Sequence, residues 1–239
     1  MLLLKLTLFS LRLFYDIIED LLVNSDLAKK LVPNKFKFTS QQGRIRRQKL
    51  LSAAKKLSET HTINDITLAD VCEEADIPRA SAYHFFPNVE AVFLALRFFF
   101  AIEIIEELKQ VDVQRFDRWQ GYITGLLNHL VEVLNNDISK AKLIYEANAP
   151  EFGHDTHGER VEHQVVNLVY EKLASQYEVP EYESIKEVLL IGYSIINGVL
   201  MLAYRTQGTL TDDMKQEAIT AGIAYLRCYL PEKFPRKAS

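Results

Sequence analysis

Between Ile66 and Phe93 the sequence ITLADVCEEADIPRASAYHFFPNVEAVF changes character three times. Thr67 stands where a helix N-cap is wanted, and Asp70, three residues on, takes the carboxylate place of a capping box. Leu68, Val71, Cys72 and Ala75 then recur at helical spacing and give that helix one buried side. Ile77-Pro78 turns the chain, and Pro78 suits the first position of a new helix, where its missing N–H costs nothing. The new helix, roughly Arg79 to Phe85, is too short to bury much by itself. Pro87-Asn88 stops it, and Asn88 is placed to cap a long apolar helix from Val89 to about Lys109. Two short helices joined at roughly a right angle can hold the second one out from the body. A helix of that width fits the major groove of B-form DNA. The pattern therefore predicts a helix-turn-helix whose second helix is the reading element.

The residues just before this stretch fit the same reading. In RIRRQKLLSAAKKLSET, Ile45, Leu50, Leu51, Ala54 and Leu57 form one helical stripe. Arg44, Arg46, Arg47, Lys49, Lys55 and Lys56 are opposed by Glu59 alone. The formal net charge of the whole chain is −4, which by itself argues against a nucleic-acid partner. The distribution overrides the total: a basic head sits on an acidic body. Leu50, Ala54, Leu57, Leu68, Val71, Ala75, Ile77, Ala82 and Phe86 are the predicted core of a three-helix head. Arg79 and Ser81 stand to meet phosphates or base edges, and Arg44 and Arg47 on the preceding helix stand to meet phosphates. Tyr83 and His84 offer hydrogen bonds to the DNA backbone.

With those residues in place, ITLADVCEEADIPRASAYHFFPNVEAVF preceded by RIRRQKLLSAAKKLSE resembles the TetR family of transcriptional regulators. The resemblance is specific over residues 44–93. It implies a DNA-binding head of three helices, followed by a helical body that dimerises and usually binds a small effector. It implies that Thr67 is a phosphate-contacting cap, and that Arg79, Ser81, Tyr83 and His84 make the groove and backbone contacts. It also implies the sign of regulation, a repressor released by its effector. The family often has glycine where this chain has Asp76 and Ala80, and lysine where it has Val89 before Glu90. Asp76 must then adopt a turn conformation that aspartate tolerates at modest cost.

The rest of the 239 residues reads as helix almost throughout, and apolar residues at 48% are enough for a large core. The expected fold is all-α: an N-terminal helical extension and linker at 1–40, the head at 41–88, a ligand-binding and dimerisation body at 89–230, and a C-terminal tail at 231–239. The start, MLLLKLTLFSLRLFYDIIEDLL, is too charged and too short for a confident membrane span, and is read as an added amphipathic helix, with a flexible or mis-started extension and a membrane-surface or targeting segment as the alternatives. Ile185 to Tyr204 is apolar on nearly every side, which predicts burial by its own domain and by a partner. With Met214 to Tyr229 it would build a four-helix seam about a two-fold axis, in which Leu189, Ile196, Leu200, Ala218, Gly222 and Tyr225 are the expected interface. Phe116, Trp119, Tyr122, Tyr145, Tyr170, Tyr193 and Asn197 are the expected lining of an effector site.

No nucleophile triad, H-E-x-x-H, P-loop or dinucleotide signature is present, so no enzyme activity and no cofactor are expected. His154, His157, Glu159 and His163 match no metal-ligand spacing and read as a polar loop, not a metal site. Cys72 and Cys228, the two cysteines, read as small buried hydrophobes in a reducing, cytoplasmic setting. The expected partners are operator DNA, a second copy of the chain and a mostly apolar effector, with no membrane. The alternative is a helical ligand-binding protein or enzyme that retains the head without using it.

Overall fold

The computed structural model describes residues 41–146, 161–180 and 184–237. The expected N-terminal helix, and His154, His157 and Glu159, lie outside them. The described residues form helices α1 (Gln41–Thr60), α2 (Leu68–Ala75), α3 (Arg79–Ala82), α4 (Val89–Lys109), α5 (Trp119–Asn135), α6 (Ile138–Tyr145), α7 (Val161–Gln176), α8 (Ile185–Gln207) and α9 (Asp212–Arg227). Among them there is no strand, only an isolated antiparallel bridge between Tyr177 and Arg236. They divide into two compact units, the first ending at Ile102 and the second beginning at Glu103. That division falls inside α4, beyond the expected head boundary at residue 88.

In the first unit α1, α2 and α3 pack on one another. Leu50, Ala54, Val71, Ala82 and Phe86 are fully buried. Leu57, expected with them, is only half-buried near the open end of α1, and Ile45 at the other end is 47% exposed. The capping box forms as expected: the Thr67 hydroxyl accepts from the Asp70 N–H at 3.3 Å, and the Asp70 carboxylate accepts from the Thr67 N–H at 2.8 Å. The hydrogen bonds from Thr67 hold the Asp70 carboxyl below its ordinary pKa. Asn88 Oδ1 accepts from the Ala91 N–H at 2.9 Å and caps α4. Asp76 ends α2 in the left-handed region at φ 52° and ψ 49°, donating its N–H to the carbonyls of Cys72 and Glu73. Aspartate tolerates this conformation better than most side chains do, at some cost relative to glycine.

α3 is shorter than expected. Its α-helical part is Arg79–Ala82, with Pro78 as its N-cap rather than its first residue. From His84 the N–H groups of His84 and Phe85 bond to Ser81 and Ala82, three residues back. This tighter turn swings Phe86 into the core before Pro87, which cannot donate an N–H, breaks the run.

In the second unit α8 and α9 share the most extensive packing. Their approach depends on glycine: a Cβ at Gly222 would lie 2.4 Å from Ile196 Cγ1. The segment after Leu230, expected as a tail, is a strap across the start of α5. The Trp119 indole Nε1 donates to the Pro231 carbonyl at 2.9 Å, and Gln120 Nε2 donates to the Glu232 carbonyl at 2.9 Å. Phe234 is buried between Trp119 and Tyr177, with ring centroids 6.3 and 6.1 Å away. Trp119→Phe keeps most of the apolar volume but removes the donor to Pro231. The expected loss is about 1–3 kcal/mol, read by denaturant unfolding, with faster amide exchange at Lys237.

Candidate nucleic-acid interface

The expected DNA-facing residues separate by burial. Arg79, Tyr83 and His84 are exposed around α3 and the turn after it, Tyr83 by 59%. Thr67 and Arg44 are exposed as well. Ser81 is half-buried, and its Oγ accepts from Arg46 Nη1 at 3.4 Å. Arg47 departs from expectation. It is only 4% exposed, and its guanidinium carbon lies 5.0 Å from the centroid of the Phe86 ring. Burial pushes its pKa down to about 9, which still leaves it charged at neutral pH. Arg47 is thus part of the head core, on the same side of α1 as Leu50, Leu51 and Ala54.

The α1 basic residues beside α3 are Arg46 and Lys49. Together with Gln42 and Ile45 they line a groove that faces Asp76, Ile77, Pro78 and Ser81. The signal was present in the sequence: positions 42, 45, 46 and 49 fall at i, i+3, i+4 and i+7 on one helix face. Residue type alone gave no reason to prefer Arg46 over Arg47.

The second unit treats its expected residues unevenly. Tyr122 is fully buried, and its hydroxyl has no hydrogen-bond partner among the described residues. Burial pushes the phenol pKa up. Phe116, half-buried, lies 6.0 Å from Tyr122 between ring centroids and sits over Gly125, where a Cβ would come within 2.3 Å of its Cζ. Trp119 is taken up by the strap. Tyr145 is buried 6.2 Å from the Tyr204 ring. Tyr170 is half-buried with Lys186 Nζ 5.2 Å from its ring, and Tyr193 and Asn197 are half-buried on α8.

Of the expected dimer residues, Leu189, Ile196, Leu200, Ala218 and Gly222 are buried within the chain. They form the internal seam between α8 and α9, because the glycines bring those two helices too close to leave that face open. Tyr225 is half-buried. The outward apolar face of α8 is a different stripe, Ile191, Ile195, Gly198 and Leu202, with Ile191 48% and Leu202 55% exposed. By length and composition alone α8 could cross a membrane, but its inner side is packed in the second unit. Cys228, expected to be buried, is exposed, while Cys72 is buried. Among the described residues no group of three or more potential metal ligands comes together.

Residues 50–96, spanning the second half of α1, all of α2 and α3 and the start of α4, match the family model described as bacterial regulatory proteins, tetR family. Over those residues the head is similar to the DNA-binding heads of that family. No curated protein matches the chain. The TetR-like fold extends over the body as well. A TetR-family transcriptional regulator from Streptomyces coelicolor is 21% identical, with 77% of this chain and 99% of that one covered at a TM-score of 0.56. Thermus thermophilus FadR, a TetR-family repressor in complex with lauroyl-CoA, is 16% identical, with coverage of 81% and 100% and a TM-score of 0.56. SmeT, the repressor of the Stenotrophomonas maltophilia multidrug efflux pump SmeDEF, is 17% identical, with coverage of 83% and 94% and a TM-score of 0.54. The head thus matches the TetR family's DNA-binding model, and the all-α architecture is that of these solved regulators.

Proposed function

We propose that the chain is a cytoplasmic homodimeric repressor that reads a two-fold operator and lets go of it when a small, mostly apolar effector binds the second unit. The observation that carries this reading is the exposure of Arg79, Tyr83 and His84 on a short helix and the turn after it, with a packed, capped pair behind them. Arg79 is the base reader in this account, and Thr67, Tyr83, His84 and Arg44 serve the DNA backbone. One such helix reads too few bases for a unique site, so two copies are required. Ile191, Ile195, Gly198 and Leu202, with Tyr225 and the 52%-exposed Tyr229 of the α9 end, form the apolar face on which a second copy would close.

The effector reading rests on Tyr122. A buried hydroxyl without a partner costs about 1–3 kcal/mol, and a ligand carrying one polar atom on an apolar body would satisfy it. FadR, of similar fold, is in complex with lauroyl-CoA, whose acyl chain is apolar. α4, the continuous helix that passes from the first unit into the second, is the covalent route from effector to head. A shift that takes the two reading helices away from the roughly 34–36 Å spacing of successive major grooves would cost operator affinity. A preference of about 1–3 kcal/mol for the non-binding arrangement suffices for a switch.

Titration of DNA from upstream of the gene, with random DNA as competitor, tests the reading. Saturable binding of two chains per site, resistant to competitor, supports it. Binding that random DNA displaces on equal terms contradicts it.

A further inference from the structure

We propose that Arg46 and Ser81 together hold one backbone phosphate of the bound DNA, with Lys49 beside them, so that Ser81 is a phosphate contact and not a base reader. This rests on the DNA-binding reading and deepens it.

Three observations converge on the groove between α1 and the turn that leads into α3. Arg46 reaches across it, Nη1 to Ser81 Oγ at 3.4 Å. Ser81 Oγ thereby accepts from the guanidinium, and its own proton is left to point elsewhere. The pair keeps donors to offer: the hydroxyl proton and the other N–H groups of Arg46. Lys49 lines the same groove, which has a volume of about 400 Å³, and the Asp76 carboxylate is the acidic group facing it. Arg46 and Lys49 against Asp76 leave one net positive charge, which matches one phosphodiester. At 3.4 Å the arginine–serine bond is long for a charge-assisted one, so a phosphate oxygen, a stronger acceptor, would draw both donors.

Burial supports the same division of labour. Ser81 is half-buried within the groove, while Arg79, Tyr83 and His84 stand exposed around it. A short hydroxyl set back from the exposed tip, and already tied to an arginine of another helix, is poorly placed to reach a base edge.

The experiment uses the full chain and two fluorescent duplexes, one carrying the selected operator and one of random sequence, titrated from about 50 to 300 mM salt. Arg46→Ala is expected to lower the slope of log K against log salt by about 0.9, the release expected per phosphate contact in B-DNA. Lys56→Ala removes the same charge from a lysine tied to Glu74 and is expected to leave the slope unchanged. Ser81→Ala is expected to weaken both duplexes by the same factor, roughly three- to tenfold, with their ratio kept within twofold. The double variant should bind no more than about twofold less tightly than Arg46→Ala alone, because one phosphate is lost in either case. The seat is overturned if Ser81→Ala weakens the operator alone, if Arg46→Ala keeps the parental slope, or if the two losses multiply. A parent chain that binds neither duplex overturns the DNA-binding reading itself.

Discussion

Leu202→Glu is expected to leave the isolated chain folded while abolishing its dimer and most of its operator affinity. Leu202 is 55% exposed on the outer face of α8, so a carboxylate there meets water in the single chain. In a seam closed about a two-fold axis the same carboxylate is buried without a partner. Such a group costs about 3–5 kcal/mol, which raises the dimer dissociation constant by at least two orders of magnitude. Two heads on one dimer act at high effective concentration, and separating them should cost the operator a further 100-fold or more. Light scattering at micromolar protein, paired with an operator titration, reads both effects. Ile196→Ala is the contrasting variant, because Ile196 is buried against Gly222 inside the chain. It should lower stability and leave assembly intact. A Leu202→Glu chain that stays dimeric would put the seam elsewhere.

Phe86→Ala is expected to unfold the head. Phe86 is fully buried at the point where the chain leaves α3, under the Arg47 guanidinium. Truncating a buried phenylalanine costs about 3–5 kcal/mol. A head of some 50 residues has on the order of 2–7 kcal/mol in hand, so most or all of its stability goes. DNA affinity should fall below detection at 37 °C, while the helical signal of α5 to α9 persists. Far-UV circular dichroism during a thermal scan, with a DNA titration at each temperature, follows the two losses. A variant that binds DNA as tightly as the parent at 37 °C would show that Phe86 does not hold α3 in place.

What was legible in the sequence was what local chemistry decides. The Thr67–Asp70 capping box, the Asn88 cap and the left-handed Asp76 each depend on a few neighbouring residues, and each formed as expected. The head core was legible through helical spacing, down to Ala82 and Phe86. The burial of Arg47 was not legible, because a basic run says nothing about which member falls on the inner face. An arginine can bury its guanidinium against an aromatic ring as readily as it meets a phosphate. The inner and outer faces of α8 were illegible for a related reason. In a helix apolar all round, composition does not distinguish the face that meets its own chain from the face that meets another. Gly192 and Gly222 settle it only once Leu226 and Ile196 are seen to fill the space above them. The strap was illegible because a short segment with no periodicity is pinned by contacts more than a hundred residues away, Trp119 to Pro231 among them.

The account turns on whether Arg79 reads bases, and one measurement decides it: the ratio of operator to random-DNA affinity for Arg79→Ala against the parent, at one fixed salt concentration. Arg79 is exposed at the first turn of α3. A base contact is worth about 1–3 kcal/mol of discrimination. The ratio is therefore expected to fall roughly 5- to 150-fold, while affinity for random DNA changes by no more than about threefold. Equal losses on operator and random DNA would make Arg79 one more phosphate contact and would contradict the assignment of α3 as the element that reads sequence.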